Sequence, residues 1–369
     1  MQVTASRMRS STLLPMSSRG PLHTVSIYGR NAGSARVRVF QWLEETEIPG
    51  VVHDYLGTSN VRPKTLLHQP LQTLAAEVRQ AGVARLNVQR LLLQREASPF
   101  SRGGLERCLL ASAEFGIYDF DDALQWDERT GLMEVLRNRH EKTIRCISAA
   151  DRVIAGNQVL AEFASSFSDD VVVIPSCVRP SSYTMKTEFD VNDPPLVGWI
   201  GSPSGEPYLA MIGAALLELN RRTGGRLQLV GGLGPSLGAL EEIIDRFTWT
   251  EALAERLPAT WDVGIMPIAD RQYERGKCGY KLLQYAASGL PAVASPVGVN
   301  EAICRDVGFW TATSDEEWVD SLSALVHVST ESRREIGVGA RDAVERLYSY
   351  DAWGDRWLAA VGESTARVR

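Results

Sequence analysis

Apolar residues fall into short blocks that alternate with longer stretches of helical spacing along most of the chain. Blocks typical of buried strands lie at residues 25–28, 116–120, 152–155 and 171–175, and again at 196–200, 226–230, 262–267 and 291–295. Stretches with helical spacing lie at residues 35–45, 71–80, 129–150, 158–166, 208–221 and 331–347. Strands that alternate with helices predict parallel sheets with helices on both faces.

Two further segments add to this pattern. Residues 86–93 form an apolar run that fits either a strand or a buried helix, because a short run has no decisive period. A last helix carries Trp353 and Trp357, which stand four residues apart and therefore share one face. We expect that face to dock on a large part of the protein.

The alternation breaks once, in a polar stretch that contains three prolines and little periodicity, and it starts again at residue 196. We therefore expect a first domain at 21–180, a linker at 181–195, a second domain at 196–347 and a C-terminal helical segment at 348–369. Residues 1–20 contain no acidic residue and no apolar stretch longer than two leucines. We interpret them as a disordered extension rather than a transit or signal segment.

Composition narrows the function classes. The chain has 369 residues and a formal net charge of −6, which argues against a protein whose main task is to grip nucleic acid, so any polyanion site must be local. Five cysteines without a CxxC pair indicate reduced thiols, and we expect a cytoplasmic protein with no disulfide and no metal site. No apolar run reaches the ~18 residues of a membrane span, and no strongly basic amphipathic helix is evident.

The most informative chemistry is a pair of lysines. The chain has only five lysines, and two of them, Lys277 and Lys281, lie four residues apart near the expected start of a helix. Two cations there oppose the helix dipole, so the placement costs stability unless an anion is bound. We prefer a diphosphate site over the alternative of two solvated surface lysines.

The segment around these lysines resembles a known family. Residues 276–291, GKCGYKLLQYAASGLP, and residues 295–300, SPVGVN, resemble the donor-binding helix of family 4 glycosyltransferases with the GT-B fold. Residues 197–202 and 262–267 resemble the two strands that precede it in that family. Residues 34–38 and 118–123 resemble the first domain more loosely.

The resemblance implies an α/β protein of the GT-B fold, with two doubly wound Rossmann-like domains and an interdomain cleft. The second domain would bind a nucleoside diphosphate sugar, the first would bind the acceptor, and the last helix would pack back on the first domain. Sugar transfer in this family usually proceeds with retention and needs neither a metal ion nor a cofactor. We therefore expect retention, and no requirement for a metal ion or a cofactor, in this chain.

Site residues follow from the resemblance together with the chemistry of a departing diphosphate, which builds negative charge that fixed cations stabilise. On this basis Lys277 and Lys281 hold the diphosphate, and Lys277 takes part in catalysis. The remaining expected binding residues are Gly201, Ser202 and Ser204 as a phosphate nest, Gly33 and Arg36 from the first domain, and Gln284, which stands where the family usually has a ribose-binding glutamate.

Two departures from the family are visible. Gly276 occupies the position of the first acid of the family's paired-glutamate motif, and Glu274 or Asp270 from the preceding loop could compensate. The basic residues that often follow the first donor-domain strand are absent from residues 201–206, so more of the phosphate charge must be met by the two lysines.

Three aspartates follow or end the strand at 116–120. Asp121 and Asp122 are our candidates for orienting an acceptor hydroxyl or acting as a base, and the alternative is that Asp119, Asp121 and Asp122 only hold the loop. The histidines receive no role.

The sequence thus predicts a glycosyltransferase that moves a sugar from a UDP- or GDP-sugar to a small acceptor, such as a natural product, a glycan precursor or a small thiol. The alternatives are a non-catalytic binder of sugar nucleotides and a sugar-nucleotide epimerase of the same architecture. We expect a monomer or homodimer with no nucleic-acid partner and no integral membrane contact. The arginine-rich, lysine-poor usage indicates a GC-rich bacterial genome.

Overall fold

The computed structural model describes residues 20–58, 61, 63–127, 138–232 and 234–363. The first sheet has six parallel strands in the order β2-β1-β3-β4-β5-β6. Its strands are β1 (Leu22–Ser26), β2 (Gly50–Asp54), β3 (Arg90–Gln94), β4 (Phe115–Phe120), β5 (Arg152–Ala155) and β6 (Val171–Val173).

The second sheet repeats this plan with six parallel strands in the order β12-β11-β10-β7-β8-β9. Its strands are β7 (Leu196–Ile200), β8 (Arg226–Gly231), β9 (Ile244–Thr248), β10 (Val263–Met266), β11 (Ala292–Ala294) and β12 (Trp310–Thr311). The predicted α/β class with two parallel sheets is confirmed.

Helices connect the strands of each sheet. In the first half they are α1 (Gly33–Ala35), continued by a π-helical turn (Arg36–Phe40) into α2 (Gln41–Thr46), then α3 (Pro63–His68), α4 (Pro70–Val83), α5 (Gly104–Ser112), α6 (Arg139–Ala149) and α7 (Gln158–Ala164). In the second half they are α8 (Pro207–Met211), α9 (Gly213–Thr223), α10 (Glu251–Arg256), α11 (Gln272–Arg275), α12 (Tyr280–Ala287), α13 (Val299–Val307), α14 (Asp315–His327), α15 (Thr330–Tyr348) and α16 (Tyr350–Ala360).

Both sheets are covered on their two faces, which is why their central strands are apolar runs rather than alternating patterns. All five residues of β3 and all four of β10 are buried. Residues 86–93, which the sequence left open between strand and helix, thus contain the start of a strand.

The last helix, α16, lies against the first sheet rather than the second. Trp357 stacks on Trp42 of α2 with ring centroids 5.0 Å apart and planes 4° from parallel. Tyr350 meets Trp42 edge-on, and its hydroxyl donates a hydrogen bond to Oε1 of Gln41 at 2.7 Å. Trp353 is only half-buried, and its indole N–H donates to the Leu347 carbonyl oxygen. Of the tryptophan pair, Trp357 therefore forms the main contact.

Some elements differ from expectation. Strands β2, β9 and β12 were not predicted, and β2 and β12 are edge strands with short or half-exposed sequences. The single helix expected at 208–221 is two helices, because the chain leaves helical geometry at Ile212. The long helix expected at 129–150 is observed as α6, and residues 128–137 lie outside the described residues, as do residues 1–19 of the expected extension.

Candidate active site in the interdomain cleft

A cleft of about 620 Å³ opens where the carboxyl ends of the two sheets face each other. Loops that follow β1, β3 and β4 line it from the first domain, and loops that follow β7, β8, β9 and β10 line it from the second. Ligands of open α/β sheets bind beyond the carboxyl ends of the strands, so the cleft has the expected place for a functional site.

The cleft brings together most of the residues selected from the sequence. Those that line it are Gly33, Arg36, Asp121, Asp122, Gly201, Ser202, Lys277, Lys281 and Gln284. Ser204 lines an adjoining cavity of about 360 Å³, which shares Ser202, Lys277 and Lys281 with the cleft.

The two lysines lie on different kinds of backbone. Helix α12 begins at Tyr280 after Gly279, which has a φ of 62°, so Lys277 belongs to the preceding loop and only Lys281 lies in the first turn. The expected helix start near the lysine pair is thus observed at Tyr280, two to three residues later than Lys277 or Cys278, around which the sequence placed it. A side chain at Gly279 would meet Ile303, which explains why the turn needs glycine.

Both ammonium groups are held over aromatic rings. Lys277 Nζ lies 4.4 Å from the ring centre of Tyr273, and Lys281 Nζ lies 5.2 Å from that of Trp199. Lys277 Nζ is also 3.8 Å from Oδ1 of Asp122. Such contacts stabilise a cation only modestly, so both charges can still act on an anion in the cleft.

Burial and the positive charge of Lys277 lower the pKa of Lys281 to about 8. For Asp122, burial alone would raise the pKa, but the charges of Lys277 and Arg95 and a hydrogen bond from Tyr273 outweigh burial and lower it. The site thus holds the ionised carboxylate of Asp122 and the ammonium group of Lys281, whose charge is destabilised by burial and by Lys277. An anion bound near Lys281 would stabilise that charge.

The loop after β7 offers hydroxyl groups rather than a complete backbone nest. The Gly201 N–H already donates to the Val230 carbonyl oxygen at 3.0 Å, so it is not free for a ligand. The hydroxyls of Ser202 and Ser204 lie 2.9 Å apart. A side chain at residue 201 would collide with the Trp199 ring at 2.4 Å, so glycine lets Trp199 and Lys281 approach each other.

Arg36 reaches into the cleft from the first domain. Its side chain is only 6% exposed, and its guanidinium lies 5.0 Å from the Trp249 ring centre. A carboxylate oxygen of Glu251 lies 3.4 Å from Nε, yet Nε and Nη1 form no hydrogen bond within the described residues. A buried guanidinium with unused donors favours an anionic or polar ligand.

Gln284 lies on α12 and is buried at the side of the cleft. Its amide nitrogen donates a hydrogen bond to the hydroxyl of Tyr183 at 3.1 Å, which fixes the orientation of the carboxamide. The carboxamide oxygen is then the group available to a ligand hydroxyl.

The three aspartates separate into two environments. Asp119 is fully buried and forms a two-point ion pair with Arg38, at 3.0 Å from Nε and 2.5 Å from Nη2. Burial raises the pKa of Asp119 although Arg38 opposes the rise. Asp119 does not line the cleft, whereas Asp121 and Asp122 do.

Arg95 was missed by the sequence analysis. It follows β3 in the left-handed region with a φ of 60°, and its Nε donates to Oδ1 of Asp121 at 2.6 Å. Its Nη2 lies 3.5 Å from Oδ2 of Asp122. The only signal in the sequence is a charged residue directly after an apolar strand, at the sheet edge where ligands bind.

Gly276 marks a direct contact between the domains. A side chain there would come within 2.5 Å of the Ala123 side chain, and Asn157 of the first domain donates to the Gly276 carbonyl oxygen at 2.8 Å. Cys278 donates to the Asp121 carbonyl oxygen at 3.2 Å, and burial raises the pKa of its thiol to about 12, as for a packed cysteine. An acid at residue 276 would not fit this contact.

The two possible substitutes for that acid differ sharply. Asp270 is exposed and pairs with Arg275. Glu274 is buried, accepts a hydrogen bond from the Tyr208 hydroxyl, and has no hydrogen bond to Oε2 within the described residues. Glu274 lines the smaller cavity beside the lysines.

Neither a membrane span nor a metal site emerges from the part of the chain that the structure describes. None of its helices combines the length and the apolar character that crossing a bilayer requires. Its His, Cys, Asp and Glu side chains form no group of three or more that could hold an ion.

The two-domain architecture is that of GT-B glycosyltransferases. A sucrose-phosphate synthase from Thermosynechococcus elongatus superposes with a TM-score of 0.65 at 14% identity, covering 92% of this chain and 97% of that one. HepE of Anabaena, solved with UDP and glucose, superposes with a TM-score of 0.64 at 13% identity, covering 92% of this chain and 99% of that one. A trehalose-phosphate synthase from Burkholderia vietnamiensis superposes with a TM-score of 0.61 at 12% identity, covering 94% of this chain and 98% of that one. The predicted GT-B fold is confirmed.

The second half of the chain carries the more specific match. Residues 195–327 match the family described as glycosyl transferases group 1. No curated protein matches the chain in sequence. The group 1 domain and the GT-B fold together support a glycosyltransferase enzyme, as the sequence predicts.

Proposed function

We propose that this protein transfers a sugar from a nucleoside diphosphate sugar to a small-molecule acceptor, with residues 196–347 binding the donor and residues 21–180 the acceptor. One observation carries the proposal. Lys277, Lys281 and the start of α12 line the same cleft as Gly33 and Arg36 of the other domain. These groups supply positive charge from both sides to a site large enough for a nucleotide sugar.

The diphosphate would lie against the lysine pair. Its charge grows as the glycosidic bond breaks, and fixed cations aimed at the leaving group lower the barrier. The N–H groups of Tyr280 and Lys281 would add to this effect, because the first N–H groups of a helix have no partner within it, whereas that of Leu282 already donates to the Gly279 carbonyl oxygen. Since two ammonium groups and Arg36 can neutralise the diphosphate, we propose transfer without a metal ion.

The nucleoside would lie along the second domain. Gln284 offers its carboxamide oxygen to a ribose hydroxyl, in the place of the glutamate usual in the family. Trp249 and Thr248 line the cleft beyond it and would border the base. UDP and GDP remain the two donors to be tested first, and UDP has the additional support that HepE was solved with it.

Asp121 and Asp122 would face the acceptor. The lowered pKa of Asp122 makes it a weak base, so we assign it to the orientation of Lys277 and the acceptor hydroxyl. Asp121 is held by Arg95 and Gln94 with the cleft on its open side. We propose that Asp121 orients or deprotonates the attacking group.

Glu274 would take the role of the acid that the family has at the position of Gly276. Its buried carboxylate has one oxygen fixed by Tyr208 and the other free, and it borders a cavity that includes both lysines. A donor sugar whose diphosphate rests on those lysines would place hydroxyl groups near it. Asp270 is excluded from this task by its exposed pair with Arg275.

The proposal is tested by mixing the protein with UDP-, GDP- and dTDP-sugars and following the released nucleoside diphosphate with and without candidate acceptors. We expect slow hydrolysis of one donor class, acceleration by an acceptor, and no change on addition of EDTA. A sugar nucleotide that binds and is never cleaved would indicate a binding protein. Conversion to an isomeric sugar nucleotide would indicate an epimerase.

A further inference from the structure

A stripe of apolar side chains on the first domain is exposed to solvent. Half of the large apolar side chains exposed in the described part of the chain lie between residues 67 and 86. They are Leu67, Leu71, Leu74, Val78 and Leu86, with exposed fractions between 53% and 80%. Leu71, Leu74 and Val78 follow steps of three and four residues along α4, so they form one face.

The opposite face of α4 is fully used by the fold. Thr73, Ala76, Gln80 and Val83 are buried there. The exposed apolar face is therefore separate from the face that packs on the fold, and it has no covering segment within the described residues. Exposed patches of this kind mark interaction surfaces in soluble proteins.

The surroundings of the stripe are basic in a chain that is acidic overall. Residues 55–113 contain three acidic residues and eight basic ones, and in the described part of the chain the exposed basic residues among them are Arg79, Arg85, Arg102 and Arg107, whereas the whole chain has a formal net charge of −6. Glu96 and Glu106 are buried, and the carboxylate of Glu77 accepts hydrogen bonds from Tyr55 and Ser98, so none of the three acids belongs to the exposed surface.

Exposed arginines flank the stripe instead. Arg79 lies on α4 and Arg85 follows it. Arg102 precedes α5 and Arg107 lies on it, and α5 packs against α4. Only Arg79 belongs to α4 itself, which is why the sequence of the helix shows no basic amphipathic pattern. The fold brings the remaining charges together from other segments.

We propose that this face, the α3–α4 surface formed by Leu67, Leu71, Leu74, Val78 and Leu86, docks on an anionic membrane surface. Exposed leucines enter the interface of a bilayer while flanking arginines attract acidic headgroups. Docking of this face on the same face of a second copy is disfavoured, because a symmetric dimer would bring the flanking arginines of the two copies together.

The surface lies close to the cleft. Leu66 of α3 belongs to the same buried apolar cluster as Ile27, which directly follows β1 at the carboxyl edge of the first sheet. That edge carries Gly33, Arg95 and Asp121. A membrane held at the α3–α4 surface is thus next to the domain proposed to receive the acceptor.

Vesicle flotation with the full chain tests the proposal without any need for sugar transfer. We expect the protein to float with vesicles of phosphatidylcholine and phosphatidylglycerol, but not with phosphatidylcholine alone, and to be released by salt. Leu71→Gln with Leu74→Gln should require at least about tenfold more lipid. Arg85→Glu should weaken binding as well.

Matched controls lie on the second half of the chain. Met211→Gln with Leu347→Gln removes exposed apolar groups elsewhere, and Arg305→Glu makes the same charge change elsewhere, so both should float like the parent. Because Leu71 and Leu74 are exposed, their variants should keep the parent's melting temperature.

Three outcomes would overturn the proposal. The first is a parent protein that does not float with anionic vesicles, and the second is a leucine variant that floats like the parent. The third is a parent dimer that the leucine variant abolishes, which would assign the surface to a second copy. All three are independent of donor cleavage, so they leave the proposed function untouched.

Discussion

Two arginine–aspartate pairs lie at the carboxyl end of β4, and their surroundings differ. Arg38 and Asp119 are both 0% exposed, whereas Arg95 and Asp121 are 14% and 10% exposed and border the cleft. Next to Asp121, Asp122 lies near Lys277, while the side-chain hydrogen bonds of Asp119 within the described residues come from Arg38. Residue type is the same in both pairs, so access to the cleft separates a structural ion pair from one available to a ligand.

The largest expected effect is on the free energy of unfolding, through the buried ion pair of Arg38 and Asp119. Arg38→Met leaves the Asp119 carboxylate buried without its partner, which should cost about 3–5 kcal/mol of unfolding free energy. Urea denaturation measures it, and Arg38→Met combined with Asp119→Leu should recover much of the loss. A single variant as stable as the parent would mean that Asp119 is not charged in the folded protein.

The lysine pair should affect transfer rather than stability. Lys277→Ala or Lys281→Ala should each cost about 2–4 kcal/mol of transition-state stabilisation, measured as kcat/KM for the donor, since each removes a cation from the leaving diphosphate. Arg305→Ala, an exposed cation outside the cleft, is the control. An unchanged kcat/KM in both lysine variants contradicts the site assignment.

The two cleft aspartates should be separable by kinetics. Asp121→Asn should lower kcat by about tenfold to a hundredfold while leaving the Kd of the nucleotide unchanged, because it faces the acceptor. Asp122→Asn should change both, because Asp122 lies beside Lys277. Isothermal titration with the nucleotide and steady-state kinetics give the two quantities. Identical behaviour of both variants would remove the distinction.

The smallest effect is a pH dependence of nucleotide binding. The Lys281 pKa is about 8 in the unliganded protein, and the charged form binds the diphosphate, so a bound anion raises this pKa. Affinity should be greatest below pH 8 and fall above it, by at most about tenfold per pH unit. Lys281→Arg, which stays charged, should flatten this slope in titrations from pH 7 to about 9.5.

The fold was largely predictable because its central strands are buried on both faces and therefore stand out as apolar blocks. Three of the four edge strands did not, since β2 and β9 have half-exposed residues and β12 has two residues, whereas the edge strand β6 was predicted from its apolar block. The break at Ile212 was also missed, although Gly213, a poor helix former, directly follows it.

Site residues that lie close together in the sequence could be predicted, and those far apart in the sequence could not. Lys277, Lys281 and Gln284 lie within one short segment, so a single pattern revealed them together. Arg95 follows β3 of the first sheet and Trp249 follows β9 of the second, and the parallel order of each sheet brings them to the two carboxyl edges that line the cleft. The hydrogen bond that occupies the Gly201 N–H depends on the neighbouring strand and has no signature in the loop itself.

The chain passes between the domains twice, in the segment after Val178 and again at Ser349 between α15 and α16. These passages are paired side by side, with Val178 N–H donating to the Tyr348 carbonyl oxygen at 2.9 Å and Val178 bridging to Ser349. The two connections between the domains are therefore held together at one point, and sliding of one domain past the other there would break the Val178–Tyr348 hydrogen bond.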